Sequence, residues 1–482
     1  MILIIAIDFI VVGVLVAIAL TKGVEQALPF FAFVVILVPL ESTIFLPGLF
    51  QLNTQRVAIV TLAALYFLTG KRNVESSDKR GTPLKYLILL ILAWNLISTA
   101  GSIVFTTSLS NVLSSALDFY LVYYIFTKTV SEVQTVHRIL VAFVAALTVC
   151  CVVGWLEIHF SWQVSDLFPT LVHRFTPGQE GLMLVEGRVR STFPHAILFA
   201  NGLALGIPLA LYLLTLAKTG LQKALLWVSI LMMSWNLYKT LSRGPWLALL
   251  LSLIVLFVFS KGQIRRYLVI VSLLMVSVLV IRPGVWDTLR NTYVETVDPE
   301  SARGSSYEYR YALLRVAREA LNKDLGRAAW GFGPDSFYHL GLEGEDPSTG
   351  HIVKFESCDS AMVELMVDTG YVGLFLVIVL MVKSILVSLG GFIRLPNPQN
   401  SLCLFLFANL AAYIFMMMSV MNFGWGQQSY MLWILMGLSV VYENLVRSEA
   451  LVEQSACSSP HPGPEWRMSG PGGLWNHAPL SR

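Results

Sequence analysis

The feature that most constrains this chain is a succession of apolar runs, repeated from the first residues to about residue 446. Runs of roughly 17–25 residues are long enough to cross a bilayer as helices. They fall at 2–20, 27–48, 55–70, 84–106, 112–128, 139–158, 194–216, 224–241, 245–260, 267–282, 360–383, 401–421 and 429–446. A membrane barrel would instead alternate polar and apolar residues in segments of about ten. Only 13% of the 482 residues are charged and 56% are hydrophobic. Ordinary soluble domains carry about 25% charged residues. That deficit excludes a solvated globular enzyme, a disordered protein and a nucleic-acid binder working through bulk charge. The expected fold is an all-α polytopic membrane protein with 12 or 13 spans, Pro39 and Pro47 making the second and third spans the ambiguous ones.

The short loops set the orientation. Lys71, Arg72, Lys79, Arg80 and Lys85 precede the fourth span, Lys128 and Arg138 follow the fifth, and Lys218 and Lys223 follow the seventh. Lys261, Arg265 and Arg266 follow the ninth, and Lys383 and Arg394 follow the eleventh. Every second loop is basic, which predicts that these loops are cytoplasmic. Segments 159–193, 242–245 and 283–358 then face outward. The organisation expected is spans 1–10 over 1–282, an extracytoplasmic cap over 283–358, spans 11–13 over 359–446, and a disordered cytoplasmic tail over 447–482 that is rich in Pro, Gly and Ser. In the cap, residues 305–324 read as an amphipathic helix with Tyr311, Leu314, Val316 or Leu313, and Leu321 on its apolar stripe. Gly331-Phe332-Gly333-Pro334 forces a turn, and an acidic Gly-rich loop follows. None of the five cysteines, Cys150, Cys151, Cys358, Cys403 and Cys457, has zinc spacing, and a disulfide framework is not expected. The apolar start lacks a basic leader and a cleavage site, so it reads as a first span.

The unusual polar residues gather on the outer side. Arg243 stands at the outer end of an apolar run, where an arginine is costly unless paired or functional. Its plain alternative is a snorkelling anchor. Arg188 and Arg190, two apart before a span, are either loop arginines or a fork for phosphate oxygens. Arg310 lies on the amphipathic helix and is either a solvated charge or part of the same site. Asp359, where the cap enters a span, is a helix N-cap or a general base for an acceptor hydroxyl. His351 and Glu356 compete with it as base; Glu364 and Asp368 lie one and two turns further in, where Asp368 precedes Gly370 and can mark a kink. Asp118 and His137 read as structural groups near cytoplasmic ends, and His195 as a neighbour of the outer pocket. Several arginines plus one carboxylate suit an anionic leaving group and a nucleophile that must lose a proton, with the arginines neutralising charge. No acidic pair or His/Cys/Asp cluster has metal-ligand spacing.

Four elements, in order, resemble the O-antigen ligase and O-antigen polymerase family of bacterial membrane glycan-assembly enzymes. Arg188 to Phe193 is similar to an Arg-x-x-Gly-Thr-Phe stretch, with Ser191 at the glycine. Ser242-Arg243-Gly244 is similar to a Ser-Arg-Gly element. Tyr309-Arg310 through Gly331-Phe332-Gly333-Pro334 is similar to an arginine helix ending in Gly-x-Gly. Asp359-Ser360 through Gly370-Tyr371-Val372-Gly373-Leu374 is similar to a His-Asn element running into Gly-x-x-Gly-Leu. The resemblance covers about 185–385. It implies a metal-independent, inverting glycosyl transfer without cofactor, on the outer face of the bacterial cytoplasmic membrane. It further implies a glycan donor on undecaprenyl diphosphate, a glycan acceptor, and a flippase and chain-length regulator as neighbours in the cell envelope, with no nucleic acid involved. Arg188 or Arg190, Arg243 and Arg310 would hold the diphosphate, and Asp359 would activate the acceptor. Asp359 and Ser360 replace the His and Asn of the ligases, which favours an O-antigen or exopolysaccharide polymerase over a ligase. A polysaccharide-lipid transporter and a non-catalytic scaffold are the competing classes. Transporters usually place polar groups at the bilayer midplane on repeat-related broken helices, unlike the pattern here.

Overall fold

The computed structural model of the protein describes residues 2–44, 51–69, 83–160, 162–168, 188–281, 290, 294, 305–345, 352–355, 358–420 and 423–458. His351, Glu356 and the tail beyond 458 lie outside the described residues. The architecture is all-α and polytopic. The helices are α1 Ile2–Lys22, α2 Val24–Leu37, α3 Thr54–Thr69, α4 Lys85–Ala100, α5 Phe105–Ser115, α6 Val122–Thr129, α7 Val133–Phe160 and α8 Ala196–Leu216. They continue as α9 Gly220–Lys239, α10 Arg243–Phe259, α11 Gln263–Ile281, α12 Ser305–Asn322, α13 Leu325–Trp330, α14 Ala361–Arg394, α15 Ser401–Met416 and α16 Gln427–Ser458. A π-helical turn, Ala116–Leu121, joins α5 and α6 into one rod. Among the described residues, six helices are long and apolar enough to cross a membrane, and five shorter apolar helices accompany them.

Helices suit this chain because each closes its own backbone hydrogen bonds, which no lipid can do for it. α8 and the first part of α16 are almost wholly buried, whereas α1 and α14 keep much of their surface outside the protein core. α8 packs against α7, α9, α10, α15 and α16, so it is the axis of the bundle. The second apolar run ends as helix at Leu37, two residues before Pro39, because proline disfavours helix in the residue ahead of it. A short antiparallel pair, β1 Thr43–Ile44 with β2 Leu52–Asn53, follows. The last helix continues to Ser458, past residue 446.

The cap helix α12 forms where the sequence predicts it, but the buried stripe differs. Ala312, Leu313, Ala317 and Leu321 are buried with Phe337, Phe355, Val363, Met366 and Val367 in a second small core, while Tyr311 is 64% exposed. The stripe turns because α12 packs on the head of α14 rather than on the membrane. The segment expected as open loop pairs β3 Glu343–Glu345 antiparallel with β4 Ile352–Lys354.

Cap and bundle meet through backbone. Gly370, with φ 71°, breaks the helical geometry inside α14. The break lets neighbouring carbonyls take other partners. Phe332 N–H donates to Val367 O at 2.9 Å and Gly333 N–H to Asp368 O at 2.9 Å. Ser98 Oγ of α4 donates to Asp368 O (2.8 Å) and to Trp330 O (2.6 Å), and Trp94 Nε1 donates to Thr369 O (2.9 Å). A Cβ on Gly370 would stand 2.1 Å from Ala329 O, and one on Gly331 (φ 75°) 2.5 Å from Asp368 O. Only glycine tolerates both the contact and the dihedral at these positions.

Gly370→Ala is therefore expected to destabilise the protein by at least about 2 kcal/mol, from backbone strain and steric overlap. Gly220→Ala, at an open helical position, should be neutral or slightly stabilising. Melting temperatures of the two purified variants check this; an unchanged melting temperature for Gly370→Ala contradicts it.

Candidate functional site

Three of the five sequence-selected residues gather at one turn, residues 417–420, between α15 and α16. The head of α14 is fastened there, because Ala361 N–H lies 2.9 Å from Met417 O and 3.2 Å from Val420 O. The head of α10 reaches the same turn: a Cβ on Gly244 would lie 2.7 Å from Ser419 Oγ. Arg243, the first residue of α10, precedes that glycine, so its backbone lies at this junction. Arg310 comes in from the cap. Its Nη2 lies 3.5 Å from Asp359 Oδ2 and 3.5 Å from Ser419 O. Its Nε is buried and has no hydrogen-bond partner among the described groups.

Asp359 is not the cap of α14. Ser360 is, with Val363 N–H donating to its Oγ at 3.5 Å. The capping duty that competed for the carboxylate thus falls to its neighbour, and the carboxylate faces a guanidinium. Both side chains of the pair are about a third exposed, 30% and 36%. An ion pair so open to solvent adds little to stability. Its interest is geometric: a carboxylate that keeps solvent contact and an arginine with a spare donor share one rim.

Arg188 and Arg190 bond different partners. Arg188 Nε donates to Thr240 O (2.9 Å) and its Nη2 to Ser242 Oγ (2.9 Å), bracing the turn that launches α10 and Arg243. Arg190 Nη2 donates to Gln163 Oε1 at 2.5 Å and to Ser165 Oγ, and its buried Nε has no partner among the described groups. The chain turns after Arg190, where Ser191 adopts φ 55°, a left-handed conformation that favours glycine. Local bonds hold the serine there: Ser191 N–H donates to Glu157 Oε2 (2.7 Å) and Ser191 Oγ to Cys150 O (2.6 Å). The serine at the resemblance's glycine position therefore sits in a conformation that glycine adopts more readily.

His195 caps α8, its Nδ1 accepting from Ile197 N–H at 3.1 Å. Asp118, read as a group near a cytoplasmic end, instead pairs with Arg56 at the head of α3, the end away from the basic loop 71–85. The pair is buried and bidentate, with Nε 3.0–3.1 Å and Nη2 2.8 Å from the carboxylate. His137 bonds Tyr212 Oη at 2.9 Å. Among the described residues no group of three His, Cys, Asp or Glu side chains could hold a metal ion.

Sequence reasoning missed Ser419, which acts through its carbonyl, and missed what Asp368 does. The only signal for Ser419 was Gly244, whose missing side chain makes room for it. Asp368 accepts from Asp335 N–H (2.8 Å), Ser336 N–H (3.2 Å), Ser336 Oγ (3.1 Å) and Phe337 N–H (3.3 Å).

Residues 228–378, about a third of the chain, match the family model described as O-antigen ligase. No curated protein matches the chain. The matched segment holds Arg243, Arg310, Asp359 and both locking glycines, and leaves Arg188 and Arg190 outside. Over that segment the chain is similar to the O-antigen ligase family. The helices are those of a multi-pass membrane protein.

Proposed function

We propose that this protein is a glycan polymerase, extending an O-antigen or exopolysaccharide at the outer face of the bacterial cytoplasmic membrane, with undecaprenyl diphosphate as the donor's carrier. The observation that carries the reading is the meeting of Arg310 and Asp359 at the turn on which the head of α10 also rests. Asp359 takes the proton of the acceptor hydroxyl. The hydroxyl oxygen then forms a bond to the anomeric carbon as the bond from that carbon to the diphosphate oxygen breaks. Its electron pair leaves with the diphosphate, and Arg310 and Arg243 stabilise that charge. Attack opposite the leaving group inverts the anomeric centre, and no step calls for a metal. Arg188 braces the turn ahead of Arg243, and Arg190 offers its spare donor to the anionic donor. The partners are the lipid-linked donor, the acceptor glycan, and in the cell a flippase and a chain-length regulator.

A ligase that passes finished glycan to a lipid A-core acceptor is the second reading, favoured by the description of the matching family. Asp359 and Ser360, where the resemblance has His and Asn, weigh for the polymerase.

Arg243→Ala, Arg310→Ala and Asp359→Ala should each lower glycan extension by at least about 100-fold, the usual scale for a lost acid–base or charge-stabilising group. Protein level in the membrane should stay unchanged. The check is polymer profile and lipid-linked intermediates in cells lacking the protein and complemented with each variant. Single repeat units with loss of long chains support the polymerase. Full-length polymer retained on the carrier supports the ligase. Normal polymer from all three variants overturns the site, and unchanged outer-face intermediates in the deletion leave the transporter as the better class.

A further inference from the structure

Asp368 is buried in α14, nine residues beyond Asp359, and touches nothing that the proposed chemistry uses. Its carboxylate is nevertheless the most heavily bonded acid at this end of the described structure. Four donors converge on it, three backbone N–H groups and one hydroxyl, all from the Asp335–Phe337 turn that closes the Gly331-Phe332-Gly333-Pro334 segment. Asp335 itself has φ 63°, a conformation costly for a non-glycine residue. Buried Ser336 bonds from both its N–H and its Oγ. A turn held in a strained conformation persists only where its surroundings over-determine it, and here the carboxylate supplies the bonds.

The chain order shows what that turn controls. α12 carries Arg310 and runs through α13 directly into the Gly331 segment. α14 carries Asp359 at its head and Asp368 two turns in. Arg310 and Asp359 therefore sit on two elements joined at three places: the small apolar core under α12, the backbone bonds of Phe332 and Gly333 to α14, and the turn held by the Asp368 carboxylate. Their own contact, at 3.5 Å and a third exposed, is too weak to fix its geometry. A buried carboxylate collecting directional bonds is specific in a way that apolar packing is not.

We infer that Asp368 is a positioning residue for the transfer: by holding the Asp335–Phe337 turn against α14 it sets the placement of Arg310 over Asp359. The inference rests on the glycan-transfer reading of the site. It predicts coupling between residues that do not touch. Asp368→Asn replaces one acceptor oxygen with a donor that opposes the N–H groups of the turn.

The test uses purified full-length protein in vesicles with a polyprenyl-diphosphate-linked glycan, comparing Asp368→Asn, Arg310→Lys and the double variant. Asp368→Asn should lower kcat at least about tenfold, with the donor KM much less affected. The double variant should be no slower than about twofold below Arg310→Lys alone. A loss due only to fewer folded molecules would multiply with the Arg310→Lys loss, so the cycle separates positioning from stability. Ser336→Ala, which removes one of the four donors, should give a smaller kcat loss with the same coupling, and decides the matter if Asp368→Asn does not accumulate. Wild-type kcat in both Asp368→Asn and Ser336→Ala, or losses that multiply, overturns the inference while leaving the transferase reading intact. Full rates in both Arg310→Lys and Asp359→Ala overturn the reading on which it rests.

Discussion

The backbone contact between Gly331 and Gly370 is the constraint on which the site depends. A helix that crosses a membrane cannot leave carbonyl groups open without a partner. The kink at Gly370 frees carbonyls in α14, and the cap fills them with Phe332 and Gly333 N–H while α4 adds Ser98 and Trp94. The cap is thus completed by the bundle and the bundle by the cap. Neither glycine can carry a side chain without striking the partner backbone. This is why the two Gly motifs, about forty residues apart, belong together.

The charge pattern follows from the same geometry. The arginines at this end of the bundle have distinct jobs: Arg56 neutralises Asp118 within the helices, Arg188 braces the turn before α10, and Arg310 reaches Asp359. A buried ion pair such as Arg56–Asp118 is costly to break one partner at a time, because the survivor is left unpaired. The Arg310–Asp359 pair is solvent-exposed and loose, so a polyanionic ligand can compete for the arginine at small cost. The deep pair holds the helices, and the rim pair stays open to solvent.

Much of this was legible in the sequence. The apolar runs gave the helices because length and composition alone decide whether a segment spans. Arg243 and Asp359 stood out as charges at a membrane boundary, where charge needs a reason, and Arg310 as an arginine on the amphipathic cap helix; the fold brings Arg310 and Asp359 within 3.5 Å. What the sequence hid were relations made through backbone. Ser419 contributes a carbonyl, which no residue type announces. Asp359 and Ser360 are both good helix caps, and only the fold shows that the serine takes that duty. Tyr311 looked apolar enough for the buried stripe, but the small residues Ala312 and Ala317 let α12 lie closer on its other face. Arg188 and Arg190, two apart in sequence, bond different partners, Arg188 the turn before α10 and Arg190 the 163–165 segment.

The central claim is that this end of the bundle transfers a glycan from a diphosphate-linked lipid to a hydroxyl. The most direct measurement is the reaction of purified protein in vesicles with a polyprenyl-diphosphate-linked repeat unit of known anomeric configuration, with a metal chelator present. The account predicts release of the free polyprenyl diphosphate together with a longer glycan whose new linkage is inverted, and loss of both products with Asp359→Ala. Retained configuration, dependence on added metal, or an Asp359→Ala protein as fast as wild type would contradict it.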